Sequence, residues 1–352
     1  MPSNDGAHSG PLEILLEIPI TDDLMKMHRA WPGLAIVPNG DLVLTYKEST
    51  DHNRTDDGAL IVARSSDGGQ TWPIRKAIAA EPGRRAYTNH SLTRLSEGTL
   101  LSGKNSIDPH GIRHRYTRCA YVRSNDDGHS WMEEGEPIHI PFVNATERMA
   151  AYGQMVELAD GRLMVSVYGV PRNILNFNLR ALGVAFSLDR GRTWTSFRLI
   201  YEDRKGDICP SETDLLRLPD GHILAMIRAN AAHRLYRSYS DDEGETWSPI
   251  EPTELPGQCP CLHVLASGAI VCAYRDMREG KAGVSYGVSE DSGKTWKPCG
   301  HLYRGSNRDC AYPSMVTLPD GNIYCVFYTA AEPEYAGVCN IHGLLLRDKT
   351  AP

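Results

Sequence analysis

The 352-residue sequence lacks any apolar run that approaches the length of about 18 residues needed for a membrane-spanning helix. Its first residues, MPSNDGAHSG, lack the basic and apolar regions of a signal peptide. It also lacks excess positive charge, since 44 acidic and 37 basic residues give a net charge of −7. We therefore expect no membrane partner and no nucleic-acid partner. Cytoplasmic residence is expected, or secretion if a leader has been removed.

The cysteines do not follow the pattern of a disulfide scaffold or a metal site. There are nine of them, an odd number, in a chain too long to need disulfides for its core. The pair Cys259-Pro-Cys261 lacks the spacing of zinc ligands, and small apolar thiols suit crowded inner strands. We expect neither a metal site nor a cofactor.

One eight-residue phrase, Ser-x-Asp-x-Gly-x-Thr/Ser-Trp, occurs five times at intervals of about 50 to 60 residues. This period is typical of repeat architectures. The Ser and Asp side chains can hydrogen-bond the local backbone, the Gly supplies a positive φ, and the Trp anchors the loop. We interpret the copies as structural turns without a catalytic role. They begin at Ser65, Ser124, Ser187, Ser240 and Ser289.

A second phrase, in which two apolar strands flank a polar turn ending in Gly, occurs six times. Asp-Gly or Asn-Gly between alternating strands favours a hairpin. Six such units predict an all-β fold, a six-bladed β-propeller with four antiparallel strands in each blade. We expect residues 1–352 to form this single domain, with a strand at about 12–18 closing the last blade. The turn glycines are Gly40, Gly98, Gly161, Gly221, Gly268 and Gly321.

Function in a propeller is expected at one end of its central channel. The positions that reach this end lie just before each innermost strand and just after the strand that follows the Gly turn. Ionisable and phenolic residues dominate these positions, which indicates a functional site. They are His28-Arg29, Lys47-Glu48, His90, Lys104-Asn105, Tyr152, Tyr168, Glu212, Arg228, Cys261, Arg275-Asp276, Tyr312 and Tyr328.

The repeat number, the box sequence and these end positions resemble the sialidase family of glycoside hydrolases. Tyr312, in AYPSM and followed by an Asp-Gly turn, is similar to the family's nucleophilic tyrosine. Glu212 in SETDLL and Arg228 in AMIRAN match its glutamate and one of its three arginines. The resemblance implies a retaining exo-glycosidase of the exo-α-sialidase type, with Tyr312 as nucleophile and Glu212 as its base partner.

The chemistry of such a substrate explains these residue types. A sialoside carries a carboxylate on its anomeric carbon, which repels an Asp or Glu nucleophile, whereas a phenol beside a carboxylate avoids this repulsion. Arginines suit the substrate carboxylate because a guanidinium group binds it through two hydrogen bonds. A carbohydrate bearing an acidic group is therefore the expected partner.

Other roles implied by the resemblance are matched less closely. The family's acid lies in the loop after the second strand of the first blade, where STDHNRTDDG offers Asp51, Asp56 and Asp57, and Asp56 fits best. Arg29 lies in HRAWP, with one residue more before the Pro than in the family. Arg275 and Arg278 are both available as the third arginine, and Arg275 is our choice. The predicted substrate-binding residues are Arg29, Arg228, Arg275, Lys47, His90 and Tyr152.

Two alternatives remain open. The first is a propeller enzyme of other chemistry, either a polysaccharide lyase or a neutral-sugar hydrolase, with His28, His90, Tyr152 and Tyr168 as acid–base groups. The second is a non-catalytic carbohydrate-binding propeller, which would have no need for a Tyr–Glu pair. The sequence predicts neither the sugar linkage nor the oligomeric state.

Overall fold

The computed structural model describes residues 10–21, 26–52, 55–80, 85–107, 116–144, 149–174, 176, 178–331 and 337–351. Within these ranges, the side chains of residues 85–90, 107 and 116–118 lie outside the described part. The described chain is built from β-strands, which confirms the all-β prediction. No helix in this part of the chain is long and apolar enough to span a membrane.

Twenty-four strands are present in the described residues. The first twelve are β1 (Leu12–Pro19), β2 (His28–Ile36), β3 (Leu42–Ser49), β4 (Ala59–Ser65), β5 (Ile74–Ala80), β6 (Arg85–Arg94), β7 (Leu100–Ile107), β8 (Tyr116–Ser124), β9 (Met132–Glu133), β10 (Met149–Glu157), β11 (Leu163–Gly169) and β12 (Ala181–Ser187). The others are β13 (Ser196–Glu202), β14 (Pro210–Arg217), β15 (Ile223–Ala229), β16 (Arg234–Ser240), β17 (Glu251–Pro252), β18 (Gln258–Val264), β19 (Ile270–Asp276), β20 (Gly283–Ser289), β21 (Lys297–Arg304), β22 (Cys310–Thr317), β23 (Ile323–Ala330) and β24 (Cys339–Asp348).

The prediction of six separate four-stranded blades was wrong. The described strands form four separate four-stranded sheets, each with its strands in chain order: β6 to β9, β10 to β13, β14 to β17 and β18 to β21. The other eight strands form one continuous sheet in the order β22-β23-β24-β2-β3-β4-β5, with β1 paired to β24.

A parallel contact between the two ends of the chain accounts for the eight-stranded sheet. β2 pairs with β24 in parallel at His28 and Cys339, and the Cys339 backbone N–H donates to the Met27 carbonyl, 3.1 Å away. β1 pairs antiparallel with β24, from Leu12 opposite Asp348 to Pro19 opposite His342. The repeats predict hairpins between neighbouring segments, but they do not indicate which strand edges meet when the chain ends come together.

The repeated box forms a compact turn held by its own side chains. In the first copy, Ser65 Oγ accepts from the backbone N–H of Gly69, and Asp67 accepts from the backbone and hydroxyl of Thr71. The Trp72 indole donates to the Gly69 carbonyl at 3.1 Å. Burial acts to raise the pKa of Asp67, but the hydrogen bonds from Thr71 and from the Ser65 hydroxyl hold it at about 2. The side chains of the box thus stabilise the turn itself.

Six strands lie at the centre of the molecule. Each of them contacts the next along the chain, and the last contacts the first, so they enclose a central region. Buried aliphatic and aromatic side chains fill the spaces between neighbouring sheets. The six strands are β2, β6, β10, β14, β18 and β22.

Candidate active site

Each of the six central strands is irregular near its start. The pairing register shifts in every one, and in five of them a residue with positive φ lies at the shift or within a residue of it. Such bulges redirect side chains and are common beside functional sites. The positive-φ residues are Trp31 (56°), Gly153 (79°), Cys209 (48°), Cys259 (50°), Ala311 (79°) and Tyr312 (53°).

Tyr312, Glu212 and Arg228 meet at this centre, and we call them the Tyr312 cluster. The Tyr312 hydroxyl donates to Glu212 Oε1 at 2.9 Å. Arg228 Nη1 lies 3.1 Å from the same Oε1, 3.1 Å from the Tyr312 oxygen and 3.1 Å from Cys259 Sγ. The three side chains come from β22, β14 and β15, and only 8% of the Tyr312 surface is exposed. Phenol, carboxylate and guanidinium are therefore in mutual contact.

The electrostatics of the Tyr312 cluster assign a proton donor and a proton acceptor. Burial raises the pKa of the Tyr312 phenol well above its ordinary value, and the neighbouring Cys259 and Glu212 groups add to this effect. Burial also acts to raise the pKa of Glu212, but the charge of Arg228 and hydrogen bonds to the carboxylate outweigh it, so that pKa is lowered. At neutral pH Tyr312 is a neutral phenol and Glu212 is an ionised carboxylate.

A second guanidinium group and two aromatic rings surround Tyr312. Arg275 Cζ lies 5.9 Å from the centroid of the Tyr312 ring, and Arg275 Nη2 donates to the Arg308 carbonyl at 2.7 Å. The rings of Tyr152 and Trp31 lie 6.1 Å and 6.3 Å from that of Tyr312, both in edge-on arrangements. The Nε atoms of Arg228 and Arg275 are buried without a hydrogen-bond partner in the described residues.

A second group of polar side chains lies beside the Tyr312 cluster. His28 Nε2 and His52 Nδ1 each lie 3.2 Å from Asp309 Oδ2, and Tyr328 donates to Asp309 Oδ1 at 2.9 Å. Burial by itself would raise the pKa of Asp309, but the hydrogen bonds from both histidines outweigh it and hold that pKa far below its ordinary value. Lys47 Nζ contacts His28 Nδ1 at 3.3 Å.

Burial also acts on the cationic members of this second group. It lowers the pKa of Lys47 to about 7, although Asp51, Asp57 and Asp309 act in the opposite direction. Burial likewise lowers the pKa of His28 to about 4. Lys47 Nζ donates to the carbonyls of Asp51 and His52, at 2.6 and 3.0 Å. Lys47 therefore holds the segment that follows β3 against the second group.

The remaining predicted residues lie in different settings. Arg29 is buried, with Nε 2.6 Å from Glu48 Oε2 and Nη1 3.3 Å from Asn340 Oδ1. Asp56 is exposed, and no hydrogen bond or ion pair among the described residues joins it to the Tyr312 cluster, so its role as the acid stays a prediction. His90 lies in β6, and its side chain is outside the described part of the chain.

Sequence reasoning missed Asp309, which immediately precedes β22, and His52, which lies three residues after the end of β3. Neither belongs to a repeated phrase. A search for His and Asp within a few residues of the strand ends would have found both. Two residues that were predicted to reach the centre have a structural role instead. Asn105 accepts from the Cys119 thiol at 2.9 Å, and Cys261 packs in the core between sheets.

Solved structures with the same fold include enzymes that act on different sugars. A Dyadobacter fermentans protein of unknown function matches with a TM-score of 0.81 and 21% identity, over 96% of this chain and 99% of that one. A Hadza microbial sialidase matches with a TM-score of 0.68 and 18% identity, over 90% of this chain and 65% of its own. The Penicillium chrysogenum α-L-arabinanase complexed with arabinobiose matches with a TM-score of 0.66 and 17% identity, over 97% and 100% of the two chains.

A family model described as a BNR repeat-like domain matches residues 40–325 of the sequence. No curated protein matches the sequence. The family match and the presence of sialidases among the structural neighbours confirm the resemblance to sialidase-superfamily propellers. At these identities the structural neighbours show the fold alone.

Proposed function

Because the chain belongs to the BNR repeat-like domain family, we propose that it is a glycoside hydrolase that removes a terminal acidic sugar, with Tyr312 as its nucleophile. The hydrogen bond from Tyr312 to Glu212, 2.9 Å long and shared with Arg228, is the observation that carries this proposal. A nucleophile within hydrogen-bond reach of its base is the recurring arrangement of covalent catalysis.

The protonation states support a concerted first step. The Tyr312 oxygen forms a bond to the anomeric carbon while its proton passes to Glu212, and the bond to the leaving oxygen breaks. That oxygen takes a proton from an acid, for which Asp56 is our prediction. Water then attacks the anomeric carbon and gives its proton to the carboxylate left by the acid. The Tyr312 oxygen leaves the sugar and takes back its proton from Glu212, and the anomeric configuration is retained.

The charge balance supports an acidic substrate. Beside the Tyr312 phenol, Arg228 and Arg275 place two guanidinium groups against the single carboxylate of Glu212. Burial acts to lower the pKa of both arginines, but the pKa of each lies above its ordinary value, and the Glu212 carboxylate is among the groups that raise that of Arg228. Both therefore remain charged, and the excess positive charge suits a sugar carboxylate, which guanidinium groups bind well.

The test is hydrolysis of 4-methylumbelliferyl glycosides by the wild-type protein, Tyr312→Phe and Tyr239→Phe. Tyr239→Phe is the matched control, because the described hydrogen bond of its hydroxyl goes to the Ser292 carbonyl in a box turn. We expect turnover of the α-sialoside or an α-linked uronoside. Tyr312→Phe should lower kcat by at least about 1000-fold, whereas Tyr239→Phe should leave it unchanged.

Two results would contradict separate parts of the proposal. Turnover of an α-L-arabinofuranoside without turnover of any acidic glycoside would show that the substrate class is wrong. A Tyr312→Phe variant that keeps more than about a tenth of wild-type kcat would remove Tyr312 from the role of nucleophile. Circular dichroism of each variant establishes that the fold is retained.

A further inference from the structure

Three side chains with metal-ligating atoms converge beside the Tyr312 cluster from distant parts of the chain. His28 belongs to β2, His52 follows β3, and Asp309 precedes β22. His28 Nε2 and His52 Nδ1 each lie 3.2 Å from Asp309 Oδ2, and the three atoms lie within 4.8 Å of one another. Two imidazole nitrogens and a carboxylate oxygen form a ligand set that zinc and other first-row transition metals favour.

We propose that His28, His52 and Asp309 form a binding site for a divalent transition-metal ion, with Zn²⁺ as the best match to the ligand set. Around an ion with ligand bonds of about 2.1 Å, neighbouring ligand atoms lie about 3.0 to 3.4 Å apart. The two separations of 3.2 Å fall in this range, and the two histidine nitrogens lie within 4.8 Å of each other. An ion bound between the three atoms would replace the two His–Asp hydrogen bonds.

The surroundings of the three ligands also suit a metal site. Tyr328 donates to Oδ1 of Asp309, which leaves Oδ2 for the ion. A hydrogen bond of this kind holds a ligating carboxylate in the orientation that the metal needs.

The site has access to solvent on one side. The His28 side chain is fully buried, whereas those of Asp309 and His52 are 17% and 39% exposed. Three protein ligands leave at least one coordination position for water or a substrate oxygen. The Trp31 ring lies 5.2 Å from that of His52 and 6.3 Å from that of Tyr312, so the metal site and the Tyr312 cluster border the same indole.

The proposal is tested by titrating the chelator-treated full-length protein with Zn²⁺ in a calorimeter and with Co²⁺ by visible absorption. The variants are His52→Ala, Tyr328→Phe and the control His222→Ala. His222 is also an exposed histidine paired with an aspartate, Asp220 at 3.1 Å, but the described residues place no third ligand beside it. We expect wild type and His222→Ala to bind one ion per chain with equal affinity.

The two site variants should bind the ion more weakly than the control. His52→Ala removes a ligand and should weaken binding by more than about 100-fold, and Tyr328→Phe, which removes an outer partner, by about 10-fold. The proposal is overturned if wild type binds no stoichiometric ion, or if His52→Ala binds as tightly as His222→Ala. Binding to cysteine thiolates would give this second result. The readout is metal binding, so the outcome is independent of which sugar is cleaved.

Discussion

Replacing Glu212 with Gln removes the negative charge from the Tyr312 cluster while it preserves the shape of the side chain. Arg228 Nη1 then keeps two contacts, the Tyr312 oxygen and Cys259 Sγ, both at 3.1 Å. Burial raises the pKa of both of these groups, so both are neutral at physiological pH. Among the described residues, the substitution therefore leaves a mostly buried guanidinium ion without a counter-charge in its direct contacts.

The cost of this change follows from the geometry. Two unit charges 3.1 Å apart attract each other by about 5 kcal/mol at an effective dielectric constant of about 20. Removing one member of a buried pair typically costs about 3 to 5 kcal/mol, since the other charge stays desolvated. For a chain of 352 residues the entropy of unfolding is about 0.7 kcal/mol/K, so Glu212→Gln should lower Tm by about 4 to 7 °C.

Differential scanning calorimetry of a double-mutant cycle measures the effect of the pair itself. The cycle comprises wild type, Glu212→Gln, Arg228→Met and the double variant at one pH and one salt concentration. Since the double variant leaves neither charge unpaired, its Tm should lie above the value obtained by adding the two single shifts. We expect a coupling energy of at least about 2 kcal/mol.

An exposed ion pair provides the control for this cycle. Arg204 is 77% exposed and lies 3.2 Å from Glu202, so Glu202→Gln should change the free energy of unfolding by less than about 1 kcal/mol. If Glu212→Gln shifts Tm no more than Glu202→Gln does, or if the two single shifts add without coupling, the electrostatic account of the Tyr312 cluster is refuted.

Two further predictions concern stability. Both Gly68 and Gly69 have positive φ, but a Cβ on Gly69 would clash with the Tyr324 ring, whereas a Cβ on Gly68 would meet open space. In urea denaturation, Gly68→Ala should lower the free energy of unfolding by about 1 to 2 kcal/mol, and Gly69→Ala should lower it by a further 1 to 3 kcal/mol. Equal losses would show that the ring contact does not matter. Burial raises the pKa of Asp214 from 3.8 to about 7. The stabilising contribution of protonated Asp214 is therefore complete below about pH 4 and is lost as the pH rises to about 7, by up to about 1.4 kcal/mol per pH unit. In urea denaturation at a series of pH values, Asp214→Asn should remove this fall in the free energy of unfolding. If the fall is unchanged in the variant, other groups cause it.

The strands and turns could be predicted because their signals are local. A turn such as the one at Gly321 places a polar tetrapeptide between two apolar strands, and the hairpin of β22 and β23 follows from those residues alone. The sheet count was not predictable in this way. It depends on the parallel pairing of His28 with Cys339, residues at opposite ends of the chain.

The site residues that belong to a repeated sequence pattern were predictable, and those outside the repeats were not. Glu212 and Arg228 occupy equivalent places around one Gly turn, and the structure brings them together with Tyr312. Asp309 and His52 contact each other across 257 positions of sequence and belong to no repeat. They come together because the two ends of the chain pair with each other, and no local sequence pattern predicts that pairing.

The bulges in the central strands set a further limit on prediction. In a regular strand, Cys259 and Cys261 would face the same side, because side chains alternate with a period of two. The register shift between Gln258 and Cys261, together with the positive φ of Cys259, breaks this alternation. Cys259 consequently contacts Arg228, while Cys261 packs in the core between sheets. Glu212, Cys259 and Tyr312 all lie inside a register shift, whereas Arg228 comes from the regularly paired strand β15. Reasoning from the two-residue period therefore succeeds along the regular strands and fails at these bulges.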